Sequence, residues 1–178
     1  MATYTPRLNS DGMANNPYWY SNNPFYNAGY GLPNCTCYAW GRFWEIAGGD
    51  PDKRPNLSTG NAEDWYNYSD GYERGSTPKL GATLCLADGP YSGVGHVCVV
   101  EEINQDGSIV CSNSAYSGPY FYLTTLYPPN YLPEAGYVFQ GFIYNPYSGD
   151  SPGPGPGPGN GFKWWMAKNH LERKAKGL

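Results

Sequence analysis

The sequence predicts an α+β domain in which one helix packs on an antiparallel sheet. Residues 35–47 contain no Pro and a single Gly, and Gly48 and Gly49 follow at once, which is typical of a helix with its stop signal. Downstream, five short segments rich in β-branched, aromatic and small apolar residues are separated by turn-forming residues. These predicted strands are residues 80–87, 96–103, 108–112, 120–126 and 137–144. A helix followed by a series of strands favours the α+β class.

Local signals also define the surroundings of the predicted helix. Asn34 precedes it, and an Asn side chain accepts a backbone N–H that the first helical turn leaves unpaired, so we expect Asn34 to be the N-cap. The first 30 residues are dense in Asn, Pro, Gly and Tyr, which indicates loops and turns. Residues 61–68 are predicted to form a short helix.

The chain of 178 residues is long enough for one globular domain. Pro and Gly alternate four times over residues 152–159, a composition that cannot form a packed core. We therefore predict a folded domain at residues 1–148, a linker at residues 149–160, and a basic, aromatic tail at residues 161–178 that forms a short helix.

The charge distribution limits the partners. Residues 1–150 hold 6 Lys and Arg against 14 Asp and Glu, a net charge of −8, whereas residues 151–178 hold 5 against 1. An acidic folded part argues against nucleic acid as the main partner, because phosphate binding needs a basic surface. The N-terminus lacks the apolar segment of a signal peptide, and nowhere do about 18 apolar residues run together. We expect synthesis as a soluble protein, and action outside the membrane would need separate means of release or a signal removed before this numbering.

The five cysteines, at positions 35, 37, 85, 98 and 111, are an odd number, so at least one thiol is unpaired. Their spacing lacks the Cys or Cys/His clusters of a zinc site, and we expect no bound metal.

Cys35 and His96 are the candidate catalytic pair. His170 lies beyond the linker, so imidazole chemistry in the folded part must use His96, which opens a predicted strand after Gly95. Cys35 lies in the first turn of the predicted helix, where unpaired N–H groups and the helix dipole favour a thiolate. A thiolate beside an imidazole is an activated nucleophile. The alternatives are a histidine satisfied by its neighbours and a small buried cysteine.

Asn113 is the candidate third member of the site. It ends the strand predicted to pair with that of His96 through a turn at Gly107, so the outer ends of the two strands come together. Its carbonyl oxygen is predicted to accept the Nδ1–H of His96 and fix the tautomer of the ring, the third role in a cysteine triad. Alternatively, Asn113 is an ordinary turn residue.

Several motifs resemble the CHAP family, the cysteine- and histidine-dependent amidohydrolases and peptidases of phage lysins and bacterial wall-remodelling enzymes. Residues 34–39, Asn-Cys-Thr-Cys-Tyr-Ala, resemble its Gln/Asn-Cys-Thr-x-Tyr signature, which selects Cys35 as nucleophile. Residues 95–100 resemble its Gly-His-Val-Ala-hydrophobic-Val motif, and residues 78–82 its Pro-x-x-Gly-Ala motif. The resemblance spans about residues 17–147.

The resemblance implies a papain-like α+β fold, with the helix carrying Cys35 packed on the sheet carrying His96. At the third catalytic position the family often has Glu, followed two residues later by Asn, where this chain has Asn113 and Ala115. Some relatives bind calcium in an Asp-rich loop before the cysteine, but the first 49 residues hold one Asp, Asp11, so no calcium site is expected. The family pattern also implies that Cys37 points off the catalytic face and that three strand cysteines are buried free thiols. These are Cys85, Cys98 and Cys111.

The implied activity is hydrolysis of an amide bond in bacterial peptidoglycan by nucleophilic catalysis, with no cofactor. The Cys35 backbone N–H is expected to hold the oxyanion together with Asn34. Trp19, Phe25 and Tyr30 are expected to line the substrate groove, or alternatively to pack the loop that contains them.

Two other functions stay open: a non-catalytic module that binds the wall through its aromatic surface, and an acyl transferase that uses the same Cys–His pair. The tail, with Trp164 and Trp165 beside five basic residues, is expected to contact the anionic cell envelope or to be a loose appendage. We expect a monomeric, antimicrobial lytic enzyme of the bacteriophage endolysin type, which reaches the cell wall by holin-type release or secretion.

Overall fold

The computed structural model describes residues 4–89 and 94–149. Its helices are α1 (Pro24–Asn27) and α2 (Cys35–Ile46), and 3-10 turns occur at Pro51–Lys53 and Ala62–Asp64. Its strands are β1 (Arg74–Gly75), β2 (Thr83–Asp88), β3 (His96–Ile103), β4 (Ile109–Asn113), β5 (Tyr122–Leu126) and β6 (Tyr137–Ile143). The predicted α+β class is confirmed. The linker beyond Gly149 and the tail lie outside the described residues, and the domain boundaries stay predictions.

Helix α2 begins where the sequence predicts. The Asn34 side chain caps it, since Oδ1 accepts from the backbone N–H groups of Thr36 at 2.9 Å and Cys37 at 3.2 Å. Nine of its residues are buried, so the helix is held by packing as well as by its cap. Within the described part of the chain, no helix has the length and apolarity that crossing a membrane requires.

The structure corrects one predicted helix and one segment that was predicted to contain only loops and turns. Residues 61–68 form a single 3-10 turn at Ala62–Asp64, because so short a segment gains little from helix propagation and Trp65 is held in the core instead. The first 30 residues contain α1, which Asn23 caps through its side chain, with Pro24 at the first helical position. That Asn-Pro pair is the sequence signal for this short helix.

The six strands form one antiparallel sheet in the order β1-β6-β2-β3-β4-β5. Successive residues of β3 face opposite sides of this sheet. Val97 and Val99 pack with α2 in one core, and Cys98 and Val100 belong to a second core on the other face. Helix α2 thus packs on one face of β3, and the two candidate catalytic residues, Cys35 and His96, are the first residues of these two elements.

A buried ion pair holds α2 against β3. The Arg42 guanidinium donates to both carboxylate oxygens of Glu101, each at 2.9 Å, at an irregularity in the pairing of β3 with β4. Arg42 lies about 10 Å along the helix from Cys35, and Glu101 about 16 Å along the strand from His96. Because this ion pair joins the later part of α2 to the later part of β3, the first residues of the two elements, Cys35 and His96, lie on the same side of the domain.

Candidate active site

Cys35 occupies the first turn of α2 and is half-buried. Burial raises the pKa of its thiol, and the backbone N–H groups of Val97 and Thr36 oppose that rise. Burial is the larger effect, so it disfavours the Cys35 thiolate that was predicted from the position of this residue at the start of the helix. The effect of the Val97 backbone shows that the sulfur lies near the beginning of β3, where Val97 follows His96 in the chain.

His96 is the first residue of β3, and its ring is oriented by Asn113. His96 Nε2 and Asn113 Oδ1 lie 3.0 Å apart. Asn113 Nδ2 donates to the Cys111 carbonyl oxygen at 2.9 Å and to Thr124 Oγ1 at 3.1 Å, which fixes the amide orientation. Since an amide oxygen only accepts, Nε2 carries the proton and Nδ1 keeps a lone pair. The sequence paired the right two residues but named the wrong nitrogen, because the choice depends on side-chain torsions.

The electrostatic surroundings favour a neutral imidazole. Burial lowers the pKa of His96, while the hydrogen bond that the ring donates to Asn113 and the charge of Glu134 raise it in part. Together with the raised pKa of Cys35, this favours an uncharged thiol and an uncharged imidazole at rest. Such a pair can work by general base catalysis, with Nδ1 as the proton acceptor.

The structure brings Cys35, His96 and Asn113 to the same end of the sheet. Among the described residues the only side-chain hydrogen bond of His96 is the one to Asn113, and no hydrogen bond joins the Cys35 sulfur to His96. The two share neighbours in Tyr122 and Tyr137. Burial raises the pKa of each tyrosine and the Cys35 charge adds to the effect, while both rings line a cavity of about 330 Å³ with His96.

Ser114 is a site residue that sequence reasoning missed. Its Oγ accepts the backbone N–H of Asn34 at 3.1 Å, and its side chain is fully buried. Asn113 hydrogen-bonds His96, and Ser114 hydrogen-bonds Asn34, the residue before Cys35. The end of β4 therefore contacts both the histidine and the cysteine parts of the site. No local signal indicates this contact, because the two residues are 80 positions apart.

Asn34 is the N-cap of α2 and also the predicted oxyanion donor. Its Oδ1 accepts from two backbone N–H groups and from Thr36 Oγ1 at 2.6 Å. The amide nitrogen is therefore the group left to donate to substrate. The role of Asn34 in an oxyanion hole stays a prediction.

Two of the three predicted groove residues are in the core, so their assignment was wrong. Trp19 is fully buried and donates from Nε1 to the Tyr38 carbonyl oxygen at 3.0 Å. Phe25 is 5% exposed and stacks on Trp65, with the ring centroids 6.1 Å apart. Tyr30 is 56% exposed and alone of the three can contact a ligand on the surface.

The other four cysteines are free and buried, as the family pattern implied for the three strand cysteines. Burial raises the pKa of Cys37 to about 12, and its sulfur lies 3.5 Å from the Trp19 carbonyl oxygen. A thiol in these surroundings is a packing residue and a poor nucleophile. In residues 4–89 and 94–149, no group of His, Cys, Asp and Glu side chains is placed to hold a metal ion.

Comparisons with known proteins match the part of the chain that contains Cys35, His96 and Asn113. A family model described as "CHAP domain" matches residues 25–115. A probable autolysin LDP of Staphylococcus aureus is 37% identical over 92 residues, which cover 50% of this chain and 30% of that protein. A probable autolysin SsaALP of the same species is 34% identical over 123 residues, 66% of this chain and 40% of that protein.

A solved structure of an N-acetylmuramoyl-L-alanine amidase from Staphylococcus aureus is 29% identical, covering 53% of this chain and 27% of that one with a TM-score of 0.42. The chain thus spans 30% to 40% of the length of these two curated relatives. The arrangement of the cysteine on a helix and the histidine on an antiparallel sheet is the papain-like α+β fold that the motifs predicted.

Proposed function

Because the chain belongs to the CHAP domain family, we propose that it hydrolyses amide bonds of bacterial peptidoglycan with Cys35, His96 and Asn113. The observation that carries this proposal is the oriented histidine: the 3.0 Å contact with Asn113 leaves Nδ1 as acceptor at the end of the sheet where the Cys35 sulfur lies. Two relatives named probable autolysins support a wall substrate.

The proposed reaction begins as His96 Nδ1 takes the thiol proton and the Cys35 sulfur attacks the amide carbonyl carbon. The Cys35 backbone N–H and Asn34 Nδ2 donate to the oxyanion. His96 then gives its proton to the leaving amine, the C–N bond breaks, and a thioester forms. Water, deprotonated by His96, hydrolyses the thioester and regenerates the thiol.

The finer proposal is a lytic enzyme of the bacteriophage endolysin type, acting at the cell wall as an N-acetylmuramoyl-L-alanine amidase or a peptidoglycan endopeptidase. Mass spectrometry of fragments released from purified sacculi distinguishes the two bond types. A new amino group on the stem peptide with a free lactyl carboxylate on the sugar indicates the amidase, and cleavage between amino acids indicates the endopeptidase.

The proposal is tested with Cys35→Ala and His96→Ala, and with Cys37→Ser as the matched cysteine control. Both catalytic variants should lose fragment release, because nucleophile and base act as one unit. Cys37→Ser should retain most activity, since Cys37 is a buried thiol that faces the Trp19 carbonyl oxygen. Release of fragments by folded Cys35→Ala at the wild-type rate would refute the proposal.

A further inference from the structure

A cavity of about 330 Å³ lies beside His96 and has no role in the bond-breaking steps above. Asn113 and Thr124 contribute to its lining, and the rings of Tyr122 and Tyr137 face it together with Glu134. Cys35 is not among its lining residues. The cavity is thus on the histidine side of the site, where the leaving amine receives its proton.

The cavity carries negative charge. Glu134 is exposed and lines the cavity together with His96, Tyr122 and Tyr137. Its charge raises the pKa of all three groups, an effect smaller than that of burial on each. Asp88 is paired in register with Tyr137 and adds a second carboxylate nearby. Among the described residues, the ion pairs all use carboxylates other than Glu134.

An uncompensated carboxylate beside aromatic rings is suited to one class of ligand. A protonated amine gains an ion pair with the carboxylate and a favourable contact with the ring faces. An acidic or phosphorylated ligand would be repelled by Glu134 and Asp88.

We propose that this cavity is a subsite for a primary amine on the leaving side of the peptide, with Glu134 as its specificity-determining residue. This inference rests on the proposed function, because it concerns the substrate of the same site. The substrate class is a peptidoglycan peptide that carries a free amine beyond the scissile bond.

The experiment compares two soluble peptidoglycan fragments that differ only in acetylation of that amine. The wild type should cleave the free-amine fragment with a kcat/KM about threefold to tenfold higher, mainly through KM, and less so at high salt. Glu134→Gln should bring the ratio close to one. Glu102→Gln, a half-exposed carboxylate at the far end of β3, should keep the wild-type ratio. Equal ratios in the wild type and Glu134→Gln would overturn the inference.

Binding separates this inference from the proposed function. In Cys35→Ala, calorimetry should give tighter binding of the free-amine fragment than of the acetylated one, and adding Glu134→Gln should remove the difference. Cleavage of both fragments with no amine preference refutes the subsite alone. If the wild type cleaves neither fragment, the proposed hydrolysis is refuted, but the binding measurement still tests the subsite. Tighter binding of the free-amine fragment supports the subsite, and equal binding of the two fragments overturns it.

Discussion

Replacing Asn113 tests how the site sets the proton position on His96. Asn113→Ala removes the acceptor for Nε2–H and leaves the buried Cys111 carbonyl oxygen and Thr124 hydroxyl without that partner. Asn113→Asp keeps an acceptor of nearly the same shape and places a negative charge beside the ring. The two variants therefore separate loss of orientation from change of charge.

The expected size follows from the contact that is lost. A buried hydrogen bond that loses one partner costs about 1–3 kcal/mol, which corresponds to a fall in kcat/KM of about fivefold to 150-fold for Asn113→Ala if the bond acts fully in the transition state. In Asn113→Asp the carboxylate favours the protonated imidazole and raises the pKa of His96. Because the base works only when neutral, the acidic limb of kcat/KM should move up by about 1–3 pH units.

The assay is the pH profile of kcat/KM on a soluble fragment, with the His96 pKa followed by NMR in the same proteins. Thr124→Val is the control, since it removes one hydrogen bond from Asn113 and leaves the His96 contact in place. Wild-type kcat/KM and pH profile in folded Asn113→Ala would refute the orienting role.

Three further predictions concern stability, positioning and the tail. Arg42→Met leaves Glu101 buried without its cation and should lower the free energy of unfolding in urea by about 3–5 kcal/mol; a loss below about 1 kcal/mol would contradict the account of the ion pair. Ser114→Ala removes the acceptor for the Asn34 N–H and should lower kcat about fivefold to tenfold with little change in KM, while Ser114→Thr restores it; a rise in KM alone would point away from positioning. Truncation after Gly149 should preserve turnover of a soluble fragment and weaken binding to whole cells at low salt, and equal binding would leave only the loose appendage.

The parts of the fold that local signals determine were predictable. Strand β3 has the predicted bounds, since Gly95 precedes it and a polar turn follows it, and α2 starts at its Asn cap. Strand β1 was not predictable, because Arg74 and Gly75 become a strand only by pairing with β6. Its two residues carry no pattern that a sequence window could detect.

The candidate site divides in the same way. Cys35 and His96 could be predicted as candidates because a helix start and a glycine-flanked strand start are local features. Ser114 and Glu134 were missed, since each gains its role from contacts with residues far away in the chain. The direction of the Cys35 pKa shift was also missed, because the sequence suggests the helix dipole but does not show how deeply the thiol is buried.

The wrong assignment of Trp19 has a cause that the sequence does record. Aromatic rings serve both cores and wet surfaces, so composition alone cannot separate Trp19 from Tyr30. The distinguishing signal is Gly41, the single glycine inside α2. Glycine weakens the interior of a helix, so its presence there indicates that another group packs close to the helix backbone. A Cβ at this position would collide with the Trp19 indole and with the Tyr18 carbonyl oxygen. Gly41→Ala should therefore destabilise the domain despite the better helix propensity of Ala, because the indole has no space to move in the core.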